Sequence, residues 1–217
     1  MTQSEENYLK AIYYLSQHVM AEITTNAIAA KMETKAASVT DMIKKLRNKS
    51  LVIYERYQGV QLTELGILEA RKIIRKHRLW ECFLVNTLKF SWDEVHDMAE
   101  QLEHIQSEIL ISRLDEFLNF PTHDPHGDPI PDALGNMSEI NQMILSDLKI
   151  NETSQVMGVK DSSASFLQFL SKMNIGLGST IKVINVFAFD DSMEVEIDNK
   201  HLILSSKVSS CLLVKKI

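Results

Sequence analysis

Residues 95–106 read VHDMAEQLEHIQ and place His96, Asp97, Glu100, Glu103 and His104 close together. Drawn as a helix, with about 100° between residues, Val95, Met98, Ala99, Leu102, Ile105 and Ile109 form an apolar arc. His96, Glu100, Glu103 and His104 fall in a second arc that borders it. Imidazoles and carboxylates gathered beside a buried seam are the donor set of a divalent cation. An upstream segment adds His77 and Glu81, four residues apart and inside the stripe of Ile67, Ala70, Ile74, Leu84 and Leu88. Ionisable groups on a core-facing stripe are costly unless compensated, and a bound cation compensates both. The plainer reading of any one Glu/His pair is a surface salt bridge, and Asp97, outside the arc, reads that way.

A second chemistry lies nearer the N-terminus. Residues 35–57 carry six basic and two acidic residues, a balance of +4, although the whole chain has a formal charge of −6. Residues 81–120 carry two basic and nine acidic residues, a balance of −7. This segregation points to an anionic partner for the first stretch and a cationic one for the second.

The elements that must hold these groups can be read in order. SEENYLKAIYYLSQHV predicts a first helix with Leu9, Ile12, Tyr13, Ser16 and Val19 on one face. TTNAIAAKM predicts a second, capped by Thr24 or Thr25, and KAASVTDMIKKLRNKS a third, joined to it by METK. LVIYERYQGVQLT reads as two strands around Gln58-Gly59. Together they predict a helix-turn-helix followed by a wing. Lys35, Ala37, Ser38, Thr40 and Asp41 would face base edges in the major groove of double-stranded DNA; Lys44, Lys45, Arg47 and Arg56 would serve phosphates. A protein-binding three-helix module is the plainer alternative. Thr63 would cap a long helix through about Phe90, and another helix is expected from about Asp93 to Asn119. All four prolines lie between Pro121 and Pro131, in one irregular connector. TIKVINVFAF, MEVEI, HLILS and CLLVKK then predict a small all-β barrel.

The rest of the sequence narrows the setting. No run approaches the roughly 18 apolar residues of a membrane span, and no signal peptide is expected at MTQSEENYLK. Cys82 and Cys211 form no CxxC pair, so a cytoplasmic chain without a disulfide framework is expected. His18, His123, His126 and His201 read as surface or loop residues.

The order winged helix, RKHRL, E-x-x-E-H, HGDPIP and terminal β module resembles the diphtheria-toxin-repressor family of metal-dependent transcriptional regulators, in its manganese/iron-responsive branch. The resemblance implies a mainly α fold with a smaller β part: a winged helix-turn-helix domain over 1–72, a helical dimerisation and metal-binding domain over 73–140 with a Pro-rich connector at 121–135, and an SH3-like β-barrel over 141–217. It further implies a primary metal site of Asn7, Glu100, Glu103 and His104, and an ancillary site of His77, Glu81 and His96 completed by a barrel residue, here Asp161. Relatives in the short, barrel-less manganese branch carry a further glutamate at the position of Lys10, so the resemblance implies no paired-metal site. The oxygen-rich set suits Mn²⁺, with Fe²⁺ the close second. The expected protein is a homodimeric, cytoplasmic repressor that binds operator DNA when loaded with metal and controls metal-uptake genes. A helical carboxylate–histidine metalloenzyme and a metal-independent winged-helix adaptor are the alternatives.

Overall fold

The computed structural model describes residues 1–18, 22–55, 59–137 and 142–217. It divides into two compact units. The first comprises Met1–His77, Glu100–Ile111 and Pro131–Met137; the second comprises Arg78–Ala99, Ser112–Ile130 and Ser138–Ile217.

In the first unit, α1 (Gln3–His18), α2 (Thr25–Lys31) and α3 (Ala36–Asn48) precede a hairpin of β1 (Val52–Glu55) and β2 (Gly59–Leu62). The three-helix periodicity works because each helix puts an apolar stripe into one core: Leu9, Ile12, Ile28, Val39, Ile43 and Leu46 are buried together. Ser16, expected on the inner face, is exposed, and Val19 lies outside the described residues. Thr24 caps α2, its hydroxyl accepting the Ala27 N–H at 3.1 Å. Thr63 caps α4 (Glu64–Asn86), accepting from Gly66 N at 2.9 Å. Gly66 is there because the chain passes so close: a Cβ would fall 1.9 Å from the Leu51 carbonyl oxygen.

The helix expected from Asp93 to Asn119 is two helices, α5 (Val95–Leu102) and α6 (Glu108–Phe117). Ser107 explains the restart. Its hydroxyl accepts the Leu110 N–H at 3.3 Å and its carbonyl the Ile111 N–H, as an N-cap should. Glu103 and His104 therefore sit in the turn after α5 rather than on its arc. Ile109 consequently leaves the buried stripe and is 78% exposed; Leu88, beyond the end of α4, is exposed too.

The C-terminal part of the second unit is a six-stranded antiparallel sheet in the order β3-β8-β4-β5-β6-β7. Four strands match the expected runs: β5 (Thr180–Val186), β6 (Met193–Ile197), β7 (Lys200–Leu204) and β8 (Leu212–Lys216). Asp198 and Asn199, both at positive φ, make the tight β6–β7 turn. The sequence reading missed β3 (Met143–Ile144) and β4 (Thr153–Val159), along with α7 (Ala164–Lys172) and α8 (Ser206–Ser209). Among the described residues β3 and β7 each have one neighbour, so the expected barrel is an open sheet. The two-residue β3 offers too few backbone groups to close it. Leu145, Val156, Leu167, Leu170, Ile181 and Val195 form its core.

Candidate metal centres and nucleic-acid interface

Glu6 and Lys10 lie one turn apart on α1, so they share a face. Both are buried, at 2% and 8% exposure. The residues that answer them are in the 100–106 segment of the same unit. Lys10 Nζ donates to Glu103 Oε1 at 2.6 Å, to its Oε2 at 2.8 Å and to Glu100 Oε1 at 3.3 Å. Glu103 is fully buried, and its Oε2 also lies 2.6 Å from His77 Nδ1. Burial alone would raise the Glu103 carboxyl; the His77 hydrogen bond and the Lys10 ammonium outweigh it and hold the group below the usual carboxylate range.

His104 meets Glu6. Its Nδ1 is 2.6 Å from Glu6 Oε2, while Glu6 Oε1 accepts from Gln106 Nε2 at 2.8 Å. The other ring nitrogen, Nε2, is buried without a hydrogen-bond partner among the described residues, 3.7 Å from Glu103 Oε1. The structure thus brings Glu100, Glu103 and His104 together with His77, Lys10 and Glu6. Asn7 is half-buried and takes part in none of these bonds. Sequence reasoning passed over Glu6, although its i, i+4 spacing to Lys10 marks a shared face.

The second unit holds another group. Glu81, Asp124 and His126 are all buried and offer ligand atoms within 4.8 Å of one another. His126, expected as a loop residue, is 5% exposed. Its Nε2 donates to the Trp92 carbonyl at 2.8 Å, and Trp92 stacks on its ring. That leaves Nδ1 toward Glu81 Oε2, at 3.6 Å. Burial opposes charging the ring, but the Glu81 and Asp124 carboxylates prevail and raise its pKa to about 9. Asp124 is pushed up to about 7 by burial and by the Glu81 and Asp128 carboxylates, with Arg78 and His126 acting the other way. Its Oδ1 accepts the N–H groups of His126 and Asp128 at 2.8 and 3.0 Å, which folds the loop around the carboxylate.

HGDP explains how that loop is seated. Gly127 has φ 87°, and a Cβ there would fall 2.0 Å from the Met157 carbonyl oxygen. With no side chain, the loop lies directly on β4, and the His126 carbonyl accepts the Val159 N–H at 3.0 Å. The signal for this second group was in DPHGDP, residues 124–129, all along: a glycine demanding close approach, with a histidine before it and an aspartate on either side.

The other expected ligands are placed as follows. His77 and Glu81 are one helical turn apart on α4. His96, exposed, has Nδ1 3.5 Å from Glu81 Oε1. Asp161 precedes α7, where its Oδ1 accepts the Ser163 N–H at 2.9 Å; that bond holds its carboxyl below the ordinary range.

On the helix-turn-helix, Lys35, Ala37, Ser38, Asp41, Lys44, Lys45 and Arg47 are exposed and Thr40 partly so. Val39, Ile43 and Leu46 fix the opposite face of α3 in the core, which leaves this face for a groove. Asp41 and Lys44 pair at 3.0 Å, and the Thr40 hydroxyl donates to the Ala36 carbonyl. Arg56 lies outside the described residues, as does Gln58. Among the described residues no helix is long and apolar enough to cross a membrane.

Comparison with known proteins bears on both kinds of site. Residues 1–60 match the N-terminal DNA-binding domain of iron-dependent repressors, 63–132 their metal-binding and dimerisation domain, and 143–216 the FeoA domain. A solved manganese-dependent transcriptional repressor in complex with manganese is 33% identical and covers 98% of this chain and 100% of its own, with a TM-score of 0.84. The chain belongs to the iron-dependent (diphtheria-toxin) repressor family. ScaR with bound Cd²⁺ is 32% identical over 98% of this chain and 99% of its own, with a TM-score of 0.78. An uncharacterised HTH-type transcriptional regulator of Methanocaldococcus jannaschii is 39% identical over 118 residues, 54% of this chain and 94% of that one. The iron-dependent repressor IdeR of Mycobacterium tuberculosis is 33% identical over 131 residues, 60% of this chain and only 56% of that relative. These repressors are DNA-binding regulators, not enzymes.

For a member of this family the test is whether the donors fit an ion, and they do. The first group offers carboxylates and a buried imidazole nitrogen without a hydrogen-bond partner among the described residues. The second holds two carboxylates in one buried site, where like charges oppose each other's ionisation and a divalent cation would relieve both.

Proposed function

We propose that this iron-dependent-repressor family member is a cytoplasmic, homodimeric repressor that binds double-stranded operator DNA when loaded with Mn²⁺ or Fe²⁺, and that it controls metal-uptake genes. The observation that carries the reading is His104 Nε2, a buried atom with no hydrogen-bond partner among the described residues, beside the fully buried Glu103 carboxylate. The primary ion would be held by Glu100, Glu103 and His104, with Asn7 from α1. The ancillary ion would be held by Glu81 with His77, His96 and Asp161; Asp124 and His126 add two donors on the Glu81 carboxylate. The chain is divided at 72/73 and 140/141 into DNA-binding, dimerisation and SH3-like parts. The dimer face includes α6, which exposes Ile109, Leu110 and Phe117.

The mechanism follows from which residues belong to which element. Glu6, Asn7 and Lys10 are on α1, packed with α2 and α3 in one core. Glu100, Glu103 and His104 follow from α5. When bound, a divalent ion would supply positive charge beside the Glu103 carboxylate, which Lys10 Nζ meets at 2.6 Å. Asn7 on α1 would hold it together with Glu100, Glu103 and His104, so that α1 would be tied to the 100–104 segment by more than the Lys10–Glu103 ion pair. In a dimer this sets the spacing of the two α3 helices, which must match half-sites about one DNA turn apart. DNA in turn must tighten metal binding by the same factor. The test is operator-DNA affinity of the full chain across Mn²⁺, Fe²⁺, Zn²⁺ and Co²⁺ and with a chelator; equal affinity in every arm overturns the switch.

A further inference from the structure

Glu6 is no ligand of the proposed ion, yet the residue is 2% exposed and its carboxylate is held between the His104 ring and the Gln106 amide. Its neighbour Glu5 is engaged elsewhere, accepting from Lys49 Nζ at 2.7 Å and from the Thr2 N–H at 2.8 Å. Glu6 Oε2 faces His104 Nδ1 at 2.6 Å, and Gln106 Nε2 clamps the assembly by donating both to Glu6 Oε1 and to the His104 carbonyl, at 2.8 and 3.0 Å. An ionised carboxylate can only accept, so the short contact places the hydrogen on Nδ1. In the neutral ring the lone pair is then on Nε2, the atom that is buried without a hydrogen-bond partner among the described residues, 3.7 Å from Glu103 Oε1. A histidine that binds metal through one nitrogen commonly donates from the other to a carboxylate, which fixes tautomer and ring angle and makes the ligand more basic.

We propose that Glu6 is the positioning residue of the primary site: it sets the His104 tautomer and aims Nε2 at the ion, so that α1 is coupled to the metal through Glu6. The inference rests on the primary-site reading above. It also makes α1 a participant through a charged residue whose contact is already formed without metal, so the imidazole is prepared before the ion arrives. Glu6 touches the ligand, not the ion.

The test uses the full-length chain labelled with ¹⁵N-histidine, with the His104 ring resonances assigned by their loss in His104→Asn. In the metal-free chain His104 should be protonated at Nδ1 and bare at Nε2. Glu6→Ala should release the ring to a mixture of tautomers. The Mn²⁺ concentration that broadens the His104 resonances should rise about 10- to 100-fold in that variant. Glu6→Gln, whose amide oxygen still accepts the N–H, should keep the tautomer and fall between the two in Mn²⁺ concentration; it also serves if Glu6→Ala does not fold. A wild-type ring protonated at Nε2, or an unchanged tautomer and Mn²⁺ response in Glu6→Ala, overturns the proposal. Wild-type His104 signals unaffected by Mn²⁺ overturn the primary-site reading instead, while the metal-free tautomer still decides the role of Glu6.

Discussion

Lys10 Nζ lies 2.6 Å from Glu103 Oε1, and neither residue has appreciable exposure. The chain thus carries its own cation on the carboxylate proposed to hold the primary ion. A buried pair of this kind is costly to break one-sidedly, by about 3–5 kcal/mol, because the remaining charge is left unpaired. Lys10→Met should therefore lower the stability of the metal-free protein by an amount of that order. It should also enlarge the rise in melting temperature on adding Mn²⁺, since the ion no longer competes with the ammonium. Thermal unfolding with and without Mn²⁺ checks this; an undiminished metal-free melting temperature contradicts it.

Glu103→Ala removes a carboxylate that meets both Lys10 and His77. Its DNA affinity at saturating Mn²⁺ should equal that of the metal-free protein. Fluorescence anisotropy with operator DNA measures the difference, and a retained metal response would remove Glu103 from the site.

Lys44 is exposed on α3, its ammonium paired with Asp41 at 3.0 Å. As a phosphate contact it supplies affinity and little specificity. Lys44→Ala should weaken all DNA sequences alike and reduce the slope of log affinity against log salt by roughly one. A change confined to one base position would instead make it a base-reading residue.

Gly127→Ala meets two penalties at once. The positive φ costs a non-glycine residue about 1–3 kcal/mol. The new Cβ also lands 2.0 Å from the Met157 carbonyl oxygen, so the loop must lift from β4. Urea unfolding should show a loss above that range, and the His126 and Asp124 donors should lose their register with Glu81.

Cys82 is buried, and burial, reinforced by the Asp124 and Glu81 carboxylates, pushes its thiol up to about 12. The thiolate is the reactive form, so native Cys82 should resist alkylation at pH 8 and react on unfolding. The raised value also has a linkage consequence. Its contribution to stability is complete below the unfolded thiol value of about 8.5 and is lost as pH rises toward about 12. Mass spectrometry after iodoacetamide treatment, native against denatured, reads the first effect.

Some of this was determined by the sequence alone. Helical periodicity fixed α1 to α4, because burying Leu9, Ile28, Ile43 and Ala70 needs only the 3.6-residue repeat. Thr24 and Thr63 marked helix starts by a local hydrogen bond, and Asp198-Asn199 marked a hairpin by backbone preference. Glu100, Glu103 and His104 stood out as candidate donors from residue type and spacing. The rest depended on the tertiary structure. The short runs of β3 and β4 gain their partners from β8 and β5, distant in sequence, so no local pattern announced them or the open edge of the sheet. The pairings of Lys10 with Glu103, Glu6 with His104 and Glu81 with His126 join residues from separate segments, and only folding decides which carboxylate meets which base. Spacing shows which groups share a helix face; burial and contact decide their protonation and their partners.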